Sequence, residues 1–143
     1  MGGVLTVGVQ TLPNLDPAKA HDGPSLLAVT AIHAGLYRTM KNGRPGLQLL
    51  REVPRALKGG NGKRWRCKLR KGLHFHNGKL IKARDVRDSL ERLVNTPHRW
   101  LRRFMQVTVI DTETFVIELS HAIALRELAH LLATPALSVL SRN

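Results

Sequence analysis

Apolar and basic residues alternate one for one between Arg64 and Arg70, where Trp65, Cys67 and Leu69 interleave with Arg64, Arg66, Lys68 and Arg70. Successive side chains of an extended chain point to opposite faces. The segment therefore predicts a strand with one apolar face and one face carrying four positive charges. Further along the period changes: Val86, Leu90, Leu93 and Val94 fall at i, i+4, i+7 and i+8 within Ala83 to Val94, the stripe of a helix packed along one side. That helix starts without the usual cap, because Lys82 has no side-chain acceptor for the first-turn amides. Asp85, in the first turn, offsets part of the loss through the helix dipole. Pro97 bars continuation past Asn95-Thr96.

Gln106 to Ile110 and Thr114 to Leu119 predict a strand pair across Asp111-Thr112-Glu113, and Ile123 to Ala133 a terminal helix stopped by Pro135. Nearer the amino terminus, Val4 to Val9 has the Val and Leu content of a buried strand, and Pro13, Asn14, Asp16 and Pro17 read as a loop. A helix is expected from Pro24 to about Met40, with Asp22 as its cap and Asn42-Gly43 beyond its end. Its apolar positions Leu26, Leu27, Ile32 and Leu36 are only partly periodic, which predicts burial on more than one side. Lys58-Gly59-Gly60-Asn61-Gly62-Lys63 is a turn. No internal repeat or low-complexity segment is evident.

The run Trp65-Arg66-Cys67-Lys68-Leu69-Arg70-Lys71-Gly72-Leu73-His74-Phe75-His76-Asn77-Gly78, then Ala83-Arg84-Asp85-Val86, then Ser89-Leu90-Glu91-Arg92-Leu93, resembles the family 5 extracellular solute-binding proteins in residue type and spacing. There the corresponding segments run aromatic-x-Phe-x-Leu-Arg-x-Gly-Val-x-Phe-x-Asp/Asn-Gly, Thr-Ala-x-Asp-Val and Ser-x-x-Arg-Leu. Leu5-Thr6-Val7-Gly8 is similar to the family's opening strand, Leu15-Asp16-Pro17 to its loop, Ile32 to Tyr37 to a helix ending in a Leu-Tyr pair, and Val109 to Leu119 to the strand pair after the helix. Complete members have several hundred residues in two lobes that close on a ligand. The resemblance implies an α/β fold: a mixed sheet flanked by helices, part of the first lobe of a periplasmic-binding-protein-like fold. Residues 1–143 would be a single domain, a partial N-terminal lobe with a strand-rich subregion at about 45–120. It also implies a small peptide or metal-complex ligand held against a second lobe that is missing here, an ABC importer permease as partner, no cofactor and a periplasmic or extracellular location.

Composition narrows the alternatives. A chain of 143 residues buries roughly two-thirds of its unfolded surface, enough for one domain with a core. Apolar residues make up 43%, yet none of their runs approaches the roughly 20 needed to span a bilayer. Met1-Gly2-Gly3 leads into the first predicted strand without a signal sequence, so either a signal has been removed or the chain is made for the cytoplasm. Cys67 is the single cysteine; it has no intramolecular disulfide partner, and its place in the strand alternation suits a small buried hydrophobe. The formal charge is +13, and no acidic residue interrupts the basic residues between Arg55 and Arg84. Such a field attracts nucleic acid, an anionic membrane or an acidic protein, or else forms a solvated face.

No catalytic motif emerges. The serines lack a nucleophile elbow, and the glycines of Lys58 to Lys63 form neither a phosphate loop nor a dinucleotide fingerprint. Asp85, Asp88 and Glu91 lie among arginines, where helix-surface pairing accounts for them. His74 and His76 share one strand face but have no third ligand near in sequence, so no metal site is expected. Pro97-His98-Arg99-Trp100-Leu101 resembles the nickel-binding branch of the family, in which a Trp here lies in the ligand cleft; an isolated Trp after a helix is also an ordinary packing residue. That branch carries an Arg after its Leu-x-Pro to anchor the metal complex's carboxylates. Here Ala133-Thr134-Pro135-Ala136 puts Ala136 in that place, which weighs against nickel. By resemblance, Thr11, Leu12 and Trp100 face the cleft. The alternative reading makes Arg64, Arg66, Lys68 and Arg70 a polyanion-binding row on an interaction subunit for nucleic acid or an acidic protein, joined by Arg99, Arg102 and Arg103 around Trp100 and Phe104.

Overall fold

The computed structural model describes residues 2–6, 8 and 12–141. At its centre is a four-stranded sheet ordered β3-β4-β6-β5: β3 (Arg55–Ala56), β4 (Arg64–Lys68), β5 (Met105–Val109) and β6 (Thr114–Leu119). β4 and β6 are interior strands, paired through Trp65↔Ile117 and Cys67↔Phe115. Their inward residues Trp65, Cys67, Phe115, Ile117 and Leu119 form the floor of the core, joined by Met105 of β5. The alternation between Arg64 and Arg70 thus becomes a half-buried strand, with Leu69 extending it by one bridge to Leu50.

The helix α2 (Ala83–Glu91) lies against β5 and buries Val86 and Leu90. Its missing cap is replaced from two directions. The Ala83 amide donates to the Thr112 carbonyl in the β5–β6 turn at 2.8 Å, and the Asp85 carboxylate accepts from the Lys82 amide at 2.8 Å. Two orphan donors are thereby satisfied without a Ser or Thr at the start. At the far end the chain tightens into a 3-10 turn, Arg92–Asn95, so Leu93 is fully buried while Val94 is 52% exposed. A short helix α3 (Arg99–Phe104) then leads into β5. Ser89 fastens the carboxy-terminal segment to α2: its hydroxyl donates to the Asp85 carbonyl at 2.6 Å and accepts from the Leu140 amide at 3.0 Å.

Three expectations nearer the amino terminus are corrected. The helix from Pro24 stops early: α1 spans Gly23–Ile32, and Tyr37–Thr39 (β1) pairs with Pro45–Leu47 (β2) as an antiparallel hairpin. Asn42-Gly43 is the turn of that hairpin, with Gly43 at φ +76, a conformation that needs glycine. Of the Ile32 to Tyr37 stretch only Ile32 is helical; residues 33–36 are the non-helical link to Tyr37 in β1, which packs beneath α4 (Leu125–Leu132). Nor is α1 buried on several sides. Only Ser25 and Val29 are buried, because the helix sits at the periphery and touches the 3-10 turn Pro135–Leu137. Finally, Val4 and Leu5 are 97% and 87% exposed and form no strand; a strand needs a neighbour, and no described strand lies alongside them. The rest of the Val4 to Val9 expectation includes Val7 and Val9, which lie outside the described residues.

The chain is α/β, with helices packed against antiparallel sheets. Each described strand pairing is antiparallel, so the parallel ladders that a mixed sheet includes do not occur among the described residues. The turns around the sheet fall as the sequence places them, including Lys58 to Lys63. The short strand around His74 is a single bridge to Leu80.

Asp22 caps α1 as expected. Its Oδ1 accepts from the Ser25 amide at 2.8 Å and its Oδ2 from the Ser25 hydroxyl at 2.9 Å, while Ser25 Oγ accepts from the Asn14 amide at 2.8 Å. These bonds, the Ser25 amide first, hold the Asp22 carboxyl below its usual range. A lowered folded-state pKa contributes stability that is present above the unfolded value and lost as pH falls through the folded one. Asp22→Ala should therefore lower the urea midpoint at pH 7, and its gap to the wild type should narrow as the pH drops below about 4. Urea titrations at a series of pH values measure this; a gap that stays constant into acid would rule out the carboxylate as its origin.

Candidate functional site

The residues expected to face a ligand do not converge among the described positions. Thr11 lies outside the described residues. Leu12 is 97% exposed and so packs against almost nothing, Trp100 included. Trp100 projects from α3, 51% exposed, while its neighbour Leu101 is fully buried and anchors the helix. Ala136 is 4% exposed within the core cluster, so it presents neither a cation nor an open position.

A concave surface lies elsewhere. A recess of about 430 Å³ is lined by residues including Thr30, Tyr37, Arg38, Gln48 and Thr134, where α1, the β1–β2 hairpin and the Pro135 turn meet. Gln48 is held there by its Oε1, which accepts from the Gly35 amide at 2.9 Å; this leaves its side-chain N–H groups for another partner. The Tyr37 hydroxyl pKa is raised, by burial first and by Cys67 second. The sequence did not reveal this recess because Tyr37 was placed at a helix end and Gln48 was assigned to no element. The Asn-Gly turn between two short runs was the available signal for the hairpin.

The histidines behave as surface residues: His74 Nδ1 lies 2.9 Å from the Gly72 carbonyl and His76 Nε2 3.5 Å from that of Ile32. Among the described residues no group of three or more His, Cys, Asp or Glu could hold a metal ion. The basic row is placed largely as expected, with Arg64 and Arg66 exposed on the outward face of β4 and Lys68 half-buried. Arg70 stands past the strand and donates from Nε to the Leu50 carbonyl at 3.1 Å, so its guanidinium is partly engaged within the protein.

Among the described residues the surface thus offers a core-backed sheet, an exposed Trp and a polar recess. The family model for bacterial extracellular solute-binding proteins, family 5 Middle, matches residues 58–142, and the chain belongs to that family. The fold is similar to Listeria monocytogenes OppA bound to peptide, with a TM-score of 0.81 and 24% identity over 92% of this chain and 29% of that one. It is likewise similar to the Escherichia coli murein tripeptide binding protein MppA, with a TM-score of 0.80 and 21% identity over 90% of this chain and 28% of that one. The uncharacterized protein YhjP of Bacillus subtilis (strain 168) is 37% identical over 60 residues, 40% of this chain and 10% of that protein. The chain thus spans less than a third of the solved relatives it resembles. The matched family and these structural neighbours are binding proteins, and no helix among the described residues is long and apolar enough to cross a membrane.

Proposed function

We propose that residues 1–143 act as a single domain, part of the first lobe of a peptide-binding component of an ABC importer, working outside the cytoplasmic membrane. The observation carrying this reading is the likeness in fold, over 92% of the chain, to an OppA bound to peptide. Peptide is favoured over a metal complex because Ala136 supplies no cation for a complex's carboxylates and is 4% exposed. Thr11, Leu12 and Trp100 contribute to the ligand-facing surface, which a second lobe completes.

Half a cleft holds ligand weakly but in a defined place. Amide and indole spectra of the chain titrated with a mixed peptide library should shift around Trp100 and Leu12, with a dissociation constant on the order of 1 mM. Nickel-histidine should leave those signals in place. Equal shifts with nickel-histidine, or none with peptide, would overturn the reading. A calorimetric dissociation constant in the low micromolar range would show that this lobe carries a complete site of its own, against a shared cleft.

A further inference from the structure

The outward side of the central sheet is unlike the rest of the surface. Register places Arg55 of β3 directly opposite Arg66 of β4, and Arg64, Arg66 and Lys68 follow one another at about 7 Å along the strand. Across β6 they face Glu118, Val116 and Thr114, and β5 adds Gln106 and Thr108 opposite Glu118 and Val116. This side therefore sets four cations against one strand carboxylate and carries no aromatic ring. Val116 and Thr114 are 6% and 4% exposed although they belong to the outward side; long basic stems can cover such positions and leave their charged heads outermost.

Those charges are poorly answered from within the chain. Like charges directly opposite on neighbouring strands destabilise a sheet. Glu52 pairs with Arg55 at 3.3 Å, and Asp111 senses Arg66 at longer range. Among the described residues no carboxylate lies at ion-pair distance from Arg64, Arg66 or Lys68. A fold with this arrangement gains most from a flat, extended array of negative charge.

We propose that this sheet face docks the protein on an anionic lipid bilayer, with Arg55, Arg64, Arg66 and Lys68 contacting the phosphate headgroups. The choice of lipid rests on the extracellular placement proposed above and on the chemistry of the face. Single-stranded nucleic acid is held by aromatic stacking platforms, which this face lacks, whereas a plane of headgroups asks only for cations at the surface. Docking would keep the lobe beside the membrane where an importer takes its solute.

Co-sedimentation with vesicles tests this. Vesicles of phosphatidylcholine containing about a quarter phosphatidylglycerol should bind the chain, pure phosphatidylcholine should not, and binding should weaken between about 50 and 200 mM salt. Arg66→Glu/Lys68→Glu should lower affinity by about tenfold or more. Lys41→Glu/Arg44→Glu, in the β1–β2 turn, changes net charge equally and should stay within about twofold. Equal loss in both variants would reduce the effect to net charge and overturn the proposal, as would absence of vesicle binding by the wild type. Tighter binding to random-sequence duplex DNA than to vesicles at equal phosphate concentration would overturn it in favour of nucleic acid. Circular dichroism confirms folding, with Arg66→Gln/Lys68→Gln as the substitute pair should the reversed charges unfold the sheet. Failure of these tests leaves the peptide titration untouched, because that experiment reads Trp100 and Leu12.

Discussion

Leu90→Ala is expected to destabilise the chain by about 2–5 kcal/mol, whereas Val94→Ala, on the same apolar stripe of the sequence, is expected to cost no more than about 0.5 kcal/mol. Leu90 is 3% exposed and belongs to the cluster that joins α2 to the sheet. Its truncation leaves a cavity between α2 and the sheet. Val94 sits in the 3-10 turn Arg92–Asn95, where tighter winding rotates successive residues further around the axis than an α-helix does. Leu93 stays inside and Val94 swings outward, to 52% exposure. Urea unfolding of both variants measures the contrast. A loss below about 0.5 kcal/mol for Leu90→Ala would mean that α2 is not docked on the sheet, and equal losses would mean that the helix continues unbroken through Val94.

The same contrast shows which parts of the fold were legible. β4, β6 and α2 announced themselves because long runs kept a single period against one core, and Thr114–Leu119 falls as expected. The Leu93 to Val94 boundary was hidden, since a change from 3.6 to 3.0 residues per turn leaves no mark over four residues. The β1–β2 hairpin was hidden for another reason: strands of three residues are too short to show alternation, and Asn42-Gly43 serves a helix stop as readily as a hairpin turn. Val4 and Leu5 have strand composition but no described partner, and composition alone does not supply a neighbouring edge. The family was legible because its segments pair a period with fixed turn positions, Gly72 and Gly78 both at positive φ. The candidate site was less so: Leu12 and Trp100 were named through resemblance, while the Tyr37 and Gln48 recess arises from a hairpin meeting α1 and the Pro135 turn, a contact no local pattern records.

Alkylation of Cys67 is expected to be slower in the folded chain than in the urea-unfolded chain by more than about a thousandfold at pH 8. Burial pushes the thiol pKa up to about 12, so the reactive thiolate is a fraction of about 1 in 10,000, against roughly a quarter for a free cysteine. Access is closed as well: Cys67 is 1% exposed, on an interior strand, and pairs across the ladder with Phe115. Reaction then proceeds through transient opening, and its rate follows the population of the open form. Leu90→Ala should consequently speed alkylation by about tenfold for each 1.4 kcal/mol of stability it removes, while Val94→Ala should stay within about threefold. Iodoacetamide labelling read by mass spectrometry, with and without urea, gives both numbers. A native rate within about tenfold of the unfolded one would show that Cys67 reaches solvent without unfolding, and that the apolar side of β4 is not the floor of the core.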